Sequence, residues 1–290
     1  MKQLLMVSYL SSHFVIPAKA GIQILLKWFP ALVPFRVFAG KTIEDNIGSG
    51  MNTIIRLLII SLSLIVFCVT PGAAQMMEQG FREDFQSLAN WKPQTFPKIP
   101  RHSAYSLQKE DGKNILVARA DRSASGIIYS RSFNIYKTPI ISWRWKVSNI
   151  YQAGDEKKKA GDDYPLRVYV VFKYDPEKAG AFEQAQYKAL KLFYGEYPPH
   201  STLNYIWANK KYPERILPNP YTAKTQMILM QKGPDRVGQW VEEKVNALED
   251  YRKAFGTDPP AEASIAIMSD ADNTGEKATG YLAYIEVSAH

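Results

Sequence analysis

From residue 103 to residue 287 the chain repeats one pattern: short runs in which apolar and polar side chains alternate, each run closed by Gly, Pro, Asp or Asn. Successive side chains of a strand point to opposite sides, so alternation marks a strand with one buried face. The pattern predicts strands over Ser103–Gln108, Asn114–Ala120, Ile127–Phe133, Pro139–Val147, Leu166–Tyr174, Leu203–Ala208, Thr222–Gln231, Trp240–Leu248, Ala263–Met268 and Tyr281–Val287. Two stretches break the rhythm. Between Glu177 and Tyr194, residues Phe182, Ala185, Ala189, Leu190 and Phe193 recur at helical spacing before Gly195. A shorter helix runs through Leu248, Tyr251 and Phe255 and stops at Gly256, ahead of Pro259 and Pro260. Helices this few, set between strands instead of alternating with them, argue against a parallel α/β sheet. The expected fold is all-β: an antiparallel jelly-roll-like sandwich with one or two inserted helices. Without an internal repeat or a low-complexity linker, residues 75–290 read as a single domain.

Alternation also assigns faces. In Ile141–Val147, Trp143, Trp145 and Val147 share one side and Ser142, Arg144 and Lys146 the other. In the next strand Leu166, Val168, Val170 and Phe172 oppose Arg167, Tyr169 and Val171. Around Trp240 the pattern inverts, with Val241, Val245 and Ala247 apolar against Trp240, Glu242, Lys244 and Asn246. If these strands are neighbours, Arg144, Arg167, Tyr169 and Trp240 form one polar and aromatic sheet face. Such a face suits a saccharide, whose hydroxyls take hydrogen bonds and whose C–H faces lie on rings. The competing reading is a solvated outer face. Trp143, Trp145 and Trp207 read as core packing, and Trp91, in the Pro-punctuated WKPQTFPKIP, fits either role.

The N-terminal quarter has a different texture. From Met51 the chain reads MNTIIR, then thirteen mostly apolar residues from Leu57 to Val69, then Thr70-Pro71-Gly72-Ala73-Ala74. That is the charged start, short apolar run and small-residue cleavage site of a secretory signal peptide, cut after Ala74. The apolar run is shorter than the ~20 residues of a membrane span, and Pro71 and Gly72 end it abruptly. Cys68, the single cysteine, follows Val66 and Phe67, not the small residues of a lipoprotein site. Residues 1–50 precede a signal that works from an extreme N-terminus. Their Val15–Gln23 segment, VIPAKAGIQ, resembles a translated intergenic repeat, so Met51 is the expected start and 1–50 a mis-assigned upstream extension. The mature protein is expected in the periplasm or outside the cell, as a monomer with no stable membrane span.

Charge changes the picture less than it first suggests. The formal +8 comes from 36 basic against 28 acidic residues. Without the first 74 residues it falls to +4, spread along the chain with one run, Lys157-Lys158-Lys159. Nucleic acid is excluded by the missing basic footprint. Familiar catalytic signatures are mostly absent, the three histidines after Ala74, His102, His200 and His290, are far apart, and a mature chain without cysteine cannot do thiol chemistry.

Two loops gather carboxylates. Gly161-Asp162-Asp163-Tyr164 precedes the strand from Leu166, and Ser269-Asp270-Ala271-Asp272-Asn273-Thr274-Gly275 follows the strand from Ala263. The second opens like a calcium loop, but its twelfth position is Tyr281 where an EF-hand needs a bidentate Glu. It reads as a looser structural Ca²⁺ site at Asp270, Asp272 and Asn273, as a catalytic or ligand-binding cluster, or as an Asx-rich turn. No other cofactor is expected. The two loops are predicted to meet in space, where carboxylates brought close need an arginine or a cation. Arg144 or Arg167 is slightly favoured over Ca²⁺.

Taken together, ISWRWKV, the GDDYPLRVYVVF segment, LNYIWA from Leu203, Asn219-Pro220-Tyr221-Thr222, GQWVEEKVNALEDYRKAFG from Gly238 and AIMSDADNTG from Ala266 resemble a bacterial family labelled domain of unknown function 3047. The resemblance covers nearly all of 81–287. It implies a fold similar to carbohydrate-binding jelly rolls and supplies no reaction. Its motifs coincide with Arg144, Asp162, Asp163, Arg167, Asn204, Trp207, Asp250, Asp270, Asp272 and Asn273.

These readings lead to an exported protein that binds a saccharide or cell-envelope glycan through Arg144, Arg167, Tyr169, Asn204, Trp240 and Glu242. One alternative is a glycan hydrolase or lyase using Asp162, Asp163 or Asp270 as acid or base. Another is an envelope scaffold without a small ligand.

Overall fold

A computed structural model describes residues 76–290 apart from 78–79, 97–98 and 195–196, and in it each alternating run forms a strand. The strands are β1 (Met76–Met77), β2 (Phe81–Glu83), β3 (Trp91–Gln94), β4 (Ala104–Glu110), β5 (Lys113–Asp121), β6 (Ala124–Asn134) and β7 (Ile140–Val147). They continue as β8 (Arg167–Phe172), β9 (Ser201–Ala208), β10 (Ile216–Pro218), β11 (Thr225–Lys232), β12 (Val241–Asn246), β13 (Glu262–Asp270) and β14 (Lys277–Ser288). The helices are α1 (Ala181–Tyr194) and α2 (Ala247–Phe255). The signal peptide and upstream extension expected over residues 1–74 lie outside the described residues. Among the described residues no helix is long and apolar enough to cross a membrane.

The strands pair into two sheets, a larger one ordered β1-β6-β13-β8-β9-β11-β10 with β3 also on β6, and a smaller one ordered β12-β7-β14-β5-β4 with β2 also on β14. The architecture is the expected β-sandwich with two inserted helices. Two of its pairings are parallel, β1 with β6 and β9 with β11. The second follows from chain path: β10 and β11 form an antiparallel pair, and β11 enters between β10 and β9, so it runs in the direction of β9.

The inner faces carry the core that alternation assigned. Ile141, Trp143, Trp145 and Val147 of β7 meet Val168, Val170 and Phe172 of β8 and Leu203, Tyr205 and Trp207 of β9, all fully buried. Trp143 lies edge-on to Trp145 at 5.6 Å and 5.3 Å from Tyr205, and Trp145 lies 5.6 Å from Trp207. Each such side chain contributes roughly 1.5–3 kcal/mol by leaving water, which settles the three tryptophans as packing. Trp91 joins the same core at 6 % exposure.

α2 begins at Asn246, whose side chain accepts the Glu249 N–H, and ends at the left-handed Gly256 (φ 72°), whose N–H bonds Arg252 O. It buries Tyr251 against Phe172, ring centroids 4.6 Å apart. α1 forms where the spacing placed it, but its Phe182, Ala185 and Ala189 are exposed. Phe182 is 70 % and Leu192 88 % exposed, and the residue that anchors the helix is Tyr187, stacked on Tyr174 at 3.6 Å. Close sheet contact near the start of β8 depends on Gly280 of β14, where a Cβ would sit 2.7 Å from both Leu166 Cβ and Pro165 O.

Candidate functional site

β8 and β13 are antiparallel neighbours with Arg167 opposite Met268, so the end of β13 lies beside the segment leading into β8. That register brings the two acidic loops together. Tyr164 N–H donates to Asp270 Oδ1 (3.1 Å) and Asp270 N–H returns a bond to Tyr164 O (3.2 Å). Arg167 fills the centre. Its Nε donates to Asp270 Oδ1 (2.9 Å), Nη2 donates to Asp270 Oδ2 and to Asp162 O (2.7 Å), and Nη1 reaches Asp162 Oδ1 (3.3 Å). The guanidinium lies 4.3 Å from the centre of the Tyr164 ring. Burial opposes its charge, but Asp270, then Tyr169 and Asp162, hold the Arg167 pKa well above its ordinary value. Asp162 Oδ2 accepts from Asn219 Nδ2 (3.2 Å). Asp163 accepts from Asn273 Nδ2 (2.9 Å) and from the Thr274 N–H (2.6 Å).

This geometry corrects part of the sequence reading. Arg167, Tyr169 and Asn204 lie on the outer face of the larger sheet and are 2 %, 4 % and 0 % exposed, so the arginine is a buried structural partner, not a residue of an open ligand face. β7, carrying Arg144, and β8, carrying Arg167, belong to different sheets, and the two arginines point to opposite outer faces of the sandwich. The single polar face imagined from alternation does not form. Asp162, Asp163 and Asp270, the acid or base candidates, are at most 3 % exposed and already accept the hydrogen bonds given above. Asn273 turns its amide N–H to Asp163, while its Oδ1 lies 2.9 Å from the Tyr221 hydroxyl. Asn204 is unusual: neither end of its buried amide has a hydrogen-bond partner.

The rest of the expected set is gathered on the smaller sheet. β12 pairs antiparallel with β7, setting Glu242 opposite Arg144, and β14 runs on the other side of β7 with Tyr284 opposite Arg144. Because Trp143, Trp145, Leu282 and Ile285 take the inner face, Arg144, Glu242 and Tyr284 face outward. With Arg82, Lys109 and Asn114 they line a groove of about 650 Å³. Arg82 lies 3.8 Å over the Tyr284 ring and bonds Glu286 Oε2 (2.9 Å). Trp240 stands just outside the lining. Its indole N–H donates to Glu110 Oε1 (2.8 Å), and Arg144 and Lys146 approach its ring at 5.2 and 4.6 Å. The indole hydrogen bond, ahead of Lys146, pulls the Glu110 pKa below its ordinary value. Trp240 is therefore held by cations instead of being a bare stacking platform. The sequence reading passed over Arg82, Lys109, Asn114 and Tyr284. A signal for Tyr284 was available in the outward alternation of Tyr284 and Glu286 against Ile285 and Val287.

A family model described as protein of unknown function (DUF3047) matches residues 89–286. None of the curated proteins matches the chain. Solved structures with a similar trace include the lectin from Bauhinia forficata in complex with GalNAc, at 11 % identity and TM-score 0.36, covering 74 % of this chain and 100 % of that one. The family 30 carbohydrate-binding module of a cellulosomal cellulase of Clostridium thermocellum gives 10 % identity and TM-score 0.32 over 75 % of this chain and 97 % of that one. For the glycoside hydrolase domain of Endo-D from Streptococcus pneumoniae R6 the values are 10 % identity and TM-score 0.31 over 69 % of this chain. The chain spans 21 % of the length of that last protein.

Proposed function

The chain belongs to the DUF3047 family, and from the groove it carries we propose that it is an exported, monomeric protein that binds an acidic cell-envelope saccharide on the outer face of its smaller sheet. The observation that carries this reading is the composition of that groove. A volume of about 650 Å³ is of ligand size. Its walls hold the donors Lys109, Lys113, Asn114 and Arg144 and the acceptor Glu242, together with Arg82, which is paired with Asp84 at 3.0 Å and lies over the Tyr284 ring. Donors and acceptors side by side match the hydroxyls of a sugar. Four cations against two acids favour a saccharide that itself bears carboxylates, since charged hydrogen bonds are about twice as strong as neutral ones. Non-enzymatic binding is preferred because Asp162, Asp163 and Asp270 are buried and engaged by Arg167, Asn219 and Asn273. The segment 51–74 would direct export, with cleavage after Ala74.

A screen of acidic and neutral glycans, followed by calorimetry on any hit, tests this. Arg144→Ala is expected to weaken binding about 10-fold or more, the worth of one charged hydrogen bond, with the melting temperature unchanged. Binding that Arg144→Ala and Glu242→Gln leave intact would remove the groove from the account. Release of new reducing ends or unsaturated products would replace binding by catalysis.

A further inference from the structure

At the end of the larger sheet away from Arg167, three strand ends enclose a cavity. β8 and β9 pair with Phe172 opposite Ser201, and β13 sets Ala263 opposite Phe172, so the residues that follow β8, precede β9 and precede β13 come together. Tyr174 and Asp175, His200 and the Asp258-Pro259-Pro260 segment line a cavity of about 300 Å³, bounded also by Tyr136 and by Glu183 from the first turn of α1. That volume is at the small end of the ligand range. In a chain of formal charge +8, its walls carry three carboxylates, Asp175, Glu183 and Asp258, against one lysine, Lys178.

The fold already engages some of these groups. Asp258 accepts from Arg252 Nε (2.7 Å), Asp175 lies 3.8 Å from Lys178 Nζ, and the Tyr136 hydroxyl donates to Pro259 O (2.7 Å). Glu183 is half-buried, and its carboxylate has no hydrogen-bond or ion-pair partner among the described residues. A second observation is independent of the acids. Tyr174, in the cavity wall, is 9 % exposed and its hydroxyl has no hydrogen-bond partner among the described residues. Its ring is stacked on Tyr187 at 3.6 Å, so turning the hydroxyl out to water would break that stack. A buried hydroxyl with nothing to bond is unfavourable unless an added group satisfies it. His200 is engaged on one side only: Nδ1 lies 2.9 Å from Ser201 Oγ, itself 2.9 Å from the Tyr251 hydroxyl. Burial, and then Lys224, lower the His200 pKa below its ordinary value, so the ring is neutral at pH 7 and does not offset the acids.

We propose that this cavity binds a primary ammonium group, carried by a small alkylamine or by an amino sugar. An ammonium presents three N–H donors. The cavity wall supplies three acceptors to match: the Glu183 carboxylate, the Tyr174 hydroxyl oxygen and, with the Nδ1–H turned to Ser201, His200 Nε2. An unpaired carboxylate favours a charged donor over a neutral one, and Tyr136, 43 % exposed, adds an aromatic wall suited to a cation. The site shares no residue with the saccharide groove on the smaller sheet and stands independently of it.

The test is calorimetric titration with 1,4-diaminobutane and with glucosamine, each against its uncharged counterpart, 1,4-butanediol or glucose. Binding of one amine per chain is expected, with the counterpart about tenfold or more weaker. Binding of both amines identifies the ammonium alone as the recognised group, and binding of glucosamine alone adds the sugar. Glu183→Gln is expected to lower affinity about tenfold or more and Tyr174→Phe about fivefold, while Arg144→Ala in the saccharide groove leaves it unchanged. Tyr174→Phe keeps the ring that stacks on Tyr187, so it decides the matter if Glu183→Gln disturbs α1. No heat from either amine up to about 20 mM, equal binding of amine and counterpart, full affinity in either cavity variant, or loss of binding in Arg144→Ala would overturn the proposal.

Discussion

Replacing Arg167 by Ala tests the reading of the acidic cluster as a structural ion pair. The side chain is 2 % exposed and donates four hydrogen bonds, to Asp270 Oδ1, Asp270 Oδ2, Asp162 Oδ1 and Asp162 O. The substitution leaves two carboxylates, Asp162 at 3 % and Asp270 at 0 % exposure, without the cation that spans them. Breaking a buried pair from one side costs about 3–5 kcal/mol, because a charge stays buried and uncompensated. For a domain of this size each kcal/mol moves the melting temperature by about 2–4 °C, so the expected fall is about 6–20 °C. That is a large share of the ~5–15 kcal/mol that holds such a domain folded. The assay is thermal and urea unfolding in EDTA, so that no divalent ion replaces the guanidinium. The triple variant Arg167→Ala, Asp162→Asn, Asp270→Asn is expected to recover part of the loss, since it removes the stranded charges with the arginine. An Arg167→Ala protein within about 0.5 kcal/mol of the parent, as for an exposed substitution, would refute the reasoning.

Two further outcomes follow from other buried polar groups. Burial alone would raise the Asp155 pKa, but hydrogen bonds from Lys210 Nζ (2.8 Å) and the Tyr212 hydroxyl (2.7 Å), with Lys157 N–H and Lys158, bring it well below the ordinary value. A depressed carboxyl stabilises the fold above the unfolded value near 3.9 and loses that contribution as pH falls below it, so Asp155→Asn is expected to flatten acid unfolding curves between about pH 4 and 2; an unchanged acid limb would contradict this. Asn204→Leu is expected to stabilise the protein by about 1–3 kcal/mol, because it removes two buried polar atoms with no partner, and a lower melting temperature would show that the amide is satisfied in solution.

β7, β12 and β14 were legible because each buries one face only. β7 reads buried and open in strict turn, from Ile141 inward to Arg144 outward. β8 was legible as a strand and misread as a face, because all six of its residues are buried. Strands covered on both sides lose alternation, and Val171 in line with Arg167 and Tyr169 was the trace of that in the sequence. Alternation also says nothing about which sheet a strand joins, so Arg144 and Arg167 looked like companions. The meeting of the Asp162-Asp163 and Asp270–Gly275 loops was legible, since each closes a central strand and neither carries its own cation. β1, β2, β3 and β10 were missed because strands of two to four residues are too short to alternate. Arg82, Lys109 and Tyr284 were missed for another reason: they come from strands distant in sequence and meet only through the order β7-β14-β5-β4, with β2 on β14.

The central claim is that the saccharide lies on the outer face of the smaller sheet. Amide and indole NMR spectra of the mature protein, titrated with an acidic oligosaccharide that binds in the glycan screen, test it most directly. The account predicts shifts confined to the groove residues Arg82, Lys109, Lys113, Asn114, Arg144, Glu242 and Tyr284 and to the Trp240 indole N–H beside them, with Asn204, Tyr169 and the Asp270 loop unmoved. Shifts centred on Asn204 and the Asp270 loop, with the Trp240 indole unmoved, would contradict it.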